Sequence, residues 1–394
     1  MAKFLWACWD GGGNLPPGLG IARVLVERGH SVVFAGRGAM LHRVRAAGLG
    51  AHELTHAYAL IDRFAWHPLA TIFGYLGSPA VEEELADVVR AQSPDVVIVD
   101  AMFSAALAAA PGFARPIAVA VHTFCSRIYA IWKSNFERQS AARVRAGFGA
   151  LPCLDELWGS CDVVQVNTLA AFDGPGRDPL PNVRHGAPVF YEEPHALSGA
   201  LPWSADDPTP IVLVSFSTVF EQRSPTMLQR ALDALRALPV NIVATTGGIV
   251  APGALRAPTN AVVHRFASHE ALLSRASLVV THGGHGTTMR SLRHGVPVVC
   301  IPALADDQPA IAAAIRDWGA GISLPRDANV ADIRRAAQLV IGNADYRASA
   351  ARLGAPLAAS DGANAAADVF EQLAATRTGT AASSHPPRGH GRFT

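Results

Sequence analysis

Eight consecutive residues, Thr281-His-Gly-Gly-His-Gly-Thr-Thr288, form the densest concentration of reactive and ligand-binding types in this sequence. They follow a short apolar run, Leu278 to Val280, and precede a helix-like stretch, Met289 to His294. Glycines at a strand-to-helix junction let the main chain approach a ligand closely, and the N–H groups that open a helix carry the positive end of its dipole. The spacing predicts an anion site, with His282 and Thr287 as side-chain donors. A tight turn whose glycines serve geometry alone is the plain alternative. His282 and His285 stand three residues apart with no Asp, Glu or Cys nearby, a poor ligand set for zinc, so no metal is expected.

A second cluster follows at Ala303-Leu-Ala-Asp-Asp-Gln308, where Asp307 and Gln308 offer acceptor oxygens and an amide donor suited to sugar hydroxyls. The same pair suits the start of the next helix, and both roles can hold at once. In the first half, Gly11-Gly12-Gly13 and Asn14 follow an apolar run that ends at Cys8 and Trp9. A dinucleotide fingerprint would need a glycine where Pro16 stands and an acidic residue after the second strand, where Phe34-Ala35-Gly36-Arg37 is found. A redox Rossmann enzyme is therefore disfavoured. Aromatic residues crowd this half, and most must be core. Trp66, Phe103, Phe124 and Trp132 are the candidates for contact with a flat, apolar ligand, because Tyr58 to Gly77 lacks a regular period and reads as a long loop.

Short β-branched runs alternate with Ala-rich amphipathic stretches throughout, which predicts α/β domains built on parallel sheets. Strands are expected at Phe4–Cys8, Ser31–Ala35, Val96–Val99, Ile117–Val121 and Val163–Val166. In the second half they are expected at Ile211–Val214, Asn241–Ala244, Ala261–Val263, Leu278–Val280 and Val298–Ile301. The proline-rich, polar stretch 201–210 divides the chain into a first domain (1–200) and a second (211–375), and 376–394 has the composition of a disordered tail. In such sheets ligands bind beyond the carboxyl ends of the strands, which singles out Trp9 to Asn14, Asp100, His122, Thr123, and Ser217 with Thr218.

The chain has 394 residues with 33 Lys+Arg against 32 Asp+Glu, a formal net charge of +1. That balance excludes a polyanion-binding surface, so no nucleic-acid partner is expected. No apolar run reaches the length that spans a bilayer, and the N-terminus lacks a secretory h-region. The five cysteines are scattered without a C-x-x-C pair, as in a reduced cytoplasmic protein.

Taken together, THGGHGTTMRSLRHGVPVVCIPALADDQPAIAAAI, the Gly29-His30 pair, the PDVVIVD run and HRFASHEALL resemble the UDP-glycosyltransferase superfamily, most closely its bacterial natural-product members, over nearly the whole chain. The resemblance implies the GT-B architecture: two Rossmann-like domains facing each other across a cleft. It implies inverting, metal-independent transfer of a sugar from a nucleoside diphosphate, UDP or dTDP, to a small apolar acceptor held by the first domain, in a monomer or homodimer. On this reading His282 and the main chain of Gly284, His285, Gly286 and Thr287 hold the diphosphate, with Ser217 and Thr218 beside it. Asp307 and Gln308 hold the sugar, and Arg265, Phe266, Ala267 and His269 line the nucleobase. The family's base histidine aligns with Asn14, which cannot take a proton near neutrality. The acidic partner of that histidine is retained as Asp100. Asp100, with Asp10, is then the expected proton acceptor, Asn14 orients the acceptor and His122 is the reserve base. An epimerase of the same fold, or a non-catalytic nucleotide-sugar-binding protein, are the alternatives.

Overall fold

The computed structural model describes the chain except residues 10, 57–73, 175–179, 194–200, 205, 217–224, 248–249, 304–306 and 383–394, and the side chains of 377–382. Runs such as Val96-Val-Ile-Val99 are apolar at every position because their sheet is covered on both faces. Val97 and Val99 pack with Leu5, Val119 and Val121 on one side, and Val96 and Ile98 with Phe4, Trp6 and Phe34 on the other. β1 (Lys3–Ala7), β2 (Ser31–Gly36), β3 (Gly50–Glu53), β4 (Val96–Asp100), β5 (Ile117–Val121), β6 (Val163–Val166) and β7 (Val183–His185) form a seven-stranded sheet in the order β3-β2-β1-β4-β5-β6-β7. β8 (Ile211–Ser215), β9 (Asn241–Thr245), β10 (Ala261–His264), β11 (Ala276–Thr281), β12 (Val298–Cys300) and β13 (Gly321–Ser323) form a six-stranded one, β10-β9-β8-β11-β12-β13. Every pairing is parallel.

The ten strands expected from sequence are present, with ends within two residues of those expected. The three that sequence reading missed, β3, β7 and β13, are all sheet edges of three or four residues. An edge strand is covered on fewer sides, so it needs no continuous apolar run to mark it.

Each strand order reverses once, between β1 and β4 in the first sheet and between β8 and β11 in the second. A reversal leaves a crevice between the carboxyl ends of the two strands, because their connections leave in opposite directions. The sequence motifs fall at these two points.

The segment 189–193 ties the halves together. Val189 and Tyr191 lie against Gly20, where a Cβ would come within 2.9 Å of Val189. Glu193 pairs with Arg43 of the first half. Glu192 pairs with Arg290 of the second at 2.6 Å, and Phe190 sits under the Arg290 and Arg293 guanidiniums. Within 201–210, Leu201 and Trp203 pack on the core of the second half. The last helix, Gly362–Ala382, returns to the first half. Phe370 meets Trp6 edge-on at 6.0 Å, and Arg28 bonds Asp368 and Glu371, each at 2.7 Å. This helix runs past Thr376 to Ala382, so the start of the stretch expected to be disordered is helical.

Candidate active site between the two sheets

At the reversal point of the second sheet, β11 ends at Thr281 and the helix His285–Arg293 begins, with Gly284 as its N-cap and no side chain capping it. An uncapped start leaves first-turn N–H groups for a ligand, and an anion there also meets the helix dipole. His282 turns the Nε2 edge of its ring to this start: a Cβ on Gly284 would stand 2.5 Å from His282 Nε2. Gly283 has φ +83°, and a Cβ there would sit 3.2 Å from the Gln308 carbonyl. Both glycines are therefore demanded by geometry, and the geometry is that of a histidine held at a helix start. Burial drives the His282 pKa down to about 4, against a hydrogen bond with the Ser215 backbone at the end of β8. At neutral pH it is an uncharged imidazole with a single N–H, which the Ser215 carbonyl accepts, so the ring braces the helix start. Gly284→Ala should weaken binding of an anion such as pyrophosphate at this turn by about 10- to 100-fold, since a small displacement of a positioned group costs that much. Calorimetry checks this, with a thermal melt confirming that the fold is kept.

His285 contributes main chain to this turn, but its ring faces the other half. Its Nε2 meets Thr168 Oγ1 at 2.7 Å, Phe124 packs edge-on at 5.7 Å, and burial holds its pKa to about 4. Gly286 is exposed at the helix start and Thr287 half-buried. Asp307, which precedes the helix Gln308–Asp317, accepts a 2.5 Å hydrogen bond from Thr123 Oγ1 at the end of β5. This bond spans the cleft and shows that the carboxyl ends of the two sheets face each other. Gln308 is 5% exposed, and its Oε1 accepts from the Ala303 N–H at 3.0 Å, which ties down the loop before it.

Arg265 and Phe266 form an exposed rim, Phe266 at 43%, with the guanidinium 5.7 Å from the ring, and Ala267 half-buried behind them. Ser268 caps the helix His269–Leu273 and donates to Glu192 at 2.7 Å. His269 lies in that first turn, where burial and the neighbouring Arg290 hold its pKa to about 4.

At the reversal point of the first sheet, the loop after β1 folds back on Asp100, the last residue of β4. Asp100 is 3% exposed. Its Oδ1 accepts from Trp9 Nε1 at 2.9 Å and from the Met102 N–H at 3.1 Å, and its Oδ2 from Asn14 Nδ2 at 2.9 Å. Burial raises its pKa, and these three bonds work against that rise. Asn14 is spent inside the loop. Its amide also donates to the Trp9 carbonyl at 2.8 Å, and its Oδ1 accepts from the Gly11 N–H at 2.9 Å. The expectation that Asn14 orients an acceptor is corrected accordingly, because its two N–H groups already have partners.

Two further expectations change. His122 accepts from the Asn167 amide through Nδ1 at 3.0 Å, and burial, with His285 nearby, pushes its pKa to about 3. Its basic lone pair is occupied, so it is no reserve base. Phe103 and Phe124 are fully buried and Trp132 nearly so. Phe103 packs on Tyr75 at 5.3 Å, Trp132 on Trp158 at 5.8 Å, and Phe124 on Trp318 across the two halves at 6.2 Å. These rings are core and interface, not an open acceptor wall. Aromatic density in a sequence cannot separate the two, because a ring is buried by the elements packed against it. Asp10, Trp66, Ser217 and Thr218 lie outside the described residues, as does most of Tyr58–Gly77.

Sequence reasoning singled out Trp9 and Thr123 by their places just beyond strand ends but assigned neither a role; the structure supplies their partners, Asp100 and Asp307. Trp318 and the Arg290–Glu192 pair carry no local signal. Among the described residues no group of three His, Cys, Asp or Glu could hold a metal, and no helix is long and apolar enough to cross a membrane.

Residues 229–373 match the family model of the erythromycin biosynthesis protein CIII-like C-terminal domain. The chain is 34% identical over 240 residues to 4'-demethylrebeccamycin synthase of Lentzea aerocolonigenes, a match covering 60% of this chain and 55% of that one. It is 26% identical over 407 aligned positions to demethyllactenocin mycarosyltransferase of Streptomyces fradiae, covering 95% and 87%. In sequence the chain is similar to glycosyltransferases of bacterial natural-product biosynthesis, and its fold is that of the GT-B glycosyltransferases. The fold is similar to that of CalG4, the calicheamicin glycosyltransferase, with a TM-score of 0.76 at 22% identity over 95% of this chain and 98% of that one. Both GT-B reversal points are where its candidate residues gather. The match to the rebeccamycin relative spans just over half of that protein's length.

Proposed function

We propose that this protein transfers a sugar, with inversion, from a nucleoside diphosphate donor (UDP or dTDP) to a small apolar acceptor, aromatic or polyketide-like, held by the first half. The observation that carries the reading is the uncapped helix start at Gly284 with the uncharged His282 packed against it, at the reversal point of the second sheet. As the anomeric carbon loses its leaving group, negative charge grows on the diphosphate. Main-chain N–H groups are already fixed there, braced by the His282 ring, so they stabilise that charge without reorganising and without calling on a metal ion. Asp307 stands at the cleft, bonded to Thr123 from the acceptor half, and holds the sugar between the two.

The acceptor's proton goes to Asp100. Burial raises its pKa above the ordinary carboxylate range, which makes it a stronger base than an exposed aspartate. Oδ1 already accepts two hydrogen bonds and Oδ2 one, so Oδ2 is the oxygen with capacity left for a proton.

The test is to incubate the protein with UDP- and dTDP-sugars and a panel of phenolic and polyketide acceptors. Nucleoside diphosphate should be released on adding acceptor, with a product one sugar heavier and of inverted anomeric configuration by NMR. Turnover to an altered nucleotide sugar without acceptor would instead identify an epimerase. Binding without turnover across the panel would leave a non-catalytic carrier.

A further inference from the structure

Trp9 stands at the carboxyl end of β1, where the first sheet's strand order reverses, and its side chain turns across to β4. The indole N–H donates to Asp100 Oδ1 at 2.9 Å, and the benzo edge lies on the loop, so that a Cβ on Gly11 would come within 2.9 Å of it. The Trp9 carbonyl accepts from Asn14, whose other N–H reaches Asp100 Oδ2. Trp9 and Asn14 thus grip the two oxygens of one buried carboxylate, and the Met102 N–H completes Oδ1.

We propose that Trp9 is a positioning residue for the transfer step: its indole N–H, with the Met102 N–H, fills Oδ1 of Asp100 and so sets Oδ2 as the oxygen that takes the acceptor's proton. The proposal rests on the reading of Asp100 as the base. A carboxylate free to rotate about its Cβ–Cγ bond would offer either oxygen in many orientations. Two donors on one oxygen fix the plane and the face. The same bond also stabilises the carboxylate form, so that Trp9 sets basicity as well as direction.

Two described ionisable groups neighbour Asp100, Cys8 and His122. Cys8, just after β1, lies beyond the Asn14 amide, with its Sγ 3.9 Å from Nδ2. His122, at the end of the adjacent β5, is uncharged above about pH 3. Asp10, in the loop itself, lies outside the described residues.

The experiment compares Trp9→Phe, which keeps a ring and loses the N–H, with Trp9→Gln, which loses the ring and keeps an N–H. kcat/KM is followed against pH with UDP-glucose or dTDP-glucose and 4-methoxyphenol, a phenol that stays protonated over the range used. Water serves as the acceptor if the phenol is not taken. UDP binding by calorimetry confirms that each variant is folded. Losing the N–H removes a bond that favours the charged form, so the Asp100 pKa rises and the acid limb of Trp9→Phe moves up by about one pH unit, with kcat at neutral pH falling about tenfold. Trp9→Gln should retain the wild-type limb and most of kcat. An unshifted limb in Trp9→Phe, or Trp9→Gln as impaired as Trp9→Phe, overturns the role of Trp9. An Asp100→Asn variant with full kcat and an unchanged profile overturns instead the reading of Asp100 as base, and the Trp9 role falls with it.

Discussion

Asp100→Asn lowers kcat for sugar transfer by about 10²- to 10⁴-fold, the range for losing a positioned general base, while nucleoside diphosphate binding is unchanged. The wild-type rate should fall as the pH drops through the Asp100 pKa, because only the carboxylate can accept a proton. That limb lies above the ordinary aspartate range, since burial raises the value. In Asp100→Asn the limb disappears and a low, flat rate remains. Three histidines near the cleft do not confuse this profile: His122 is held to about 3, and His282 and His285 to about 4, so all are uncharged where the enzyme is assayed. An asparagine here sets one amide against the donating Nδ2 of Asn14 or against the Trp9 and Met102 N–H groups, so the melting temperature is measured in parallel. A drop in kcat at full nucleotide affinity separates lost chemistry from lost fold. Retention of the acid limb in the variant would assign the proton to another group.

His282→Ala lowers kcat by about 10- to 100-fold, because the ring that braces the helix-start N–H groups against the developing charge is lost. The donor KM changes far less. The distinction matters because an interaction equally strong in the ground and transition states appears in KM alone, whereas one that strengthens as the bond breaks appears in kcat. His282 is uncharged above about pH 4, so the loss should be the same at pH 6 and pH 8. A loss that grew as the pH fell would mean that a cationic imidazole is at work. A change confined to the donor KM would reduce His282 to a ground-state contact. The alanine leaves Gly284 and the helix start intact, which makes the variant a cleaner probe of the imidazole than Gly284→Ala, where the ring is displaced along with the main chain.

The donor side of the site was largely legible. Thr281 to Thr288 is continuous in sequence, and its function depends on local rules: an apolar strand, three glycines and a helix start. The need for glycine at 283 and 284 is met within a few residues, apart from the Gln308 carbonyl. Asp307 and Gln308 were also recognisable as a polar pair after a strand. That one of them turns to the cleft and the other braces its own loop is a matter of which oxygen finds which donor, Thr123 for Asp307 and the Ala303 N–H for Gln308.

The acceptor side was less legible, for a physical reason. Asn14, Trp9 and Asp100 act as one unit, but the last lies 86 residues from the first, and nothing in the sequence says that both amide hydrogens of Asn14 are already used. The aromatic residues misled in the same way. Phe124 follows a strand end and invites a ligand role, yet Trp318 and His285 from the other half cover it.

The sequence by itself determined the two parallel-sheet halves, their central strands and a glycine-rich strand-to-helix junction, although the helix begins at His285, four residues before the Met289 expected. These depend on periodicity and on glycine's freedom, which act between near neighbours. Only the tertiary structure decided which polar atoms remain open to a ligand. It closed His122, turned the His285 ring toward the other half, spent Asn14 inside its loop and left Asp100 Oδ2 with capacity for one more bond. A buried polar group takes whatever partner the fold brings within about 3 Å, because leaving it unpaired costs more than the bond is worth. That choice is made by contacts between residues far apart in the chain.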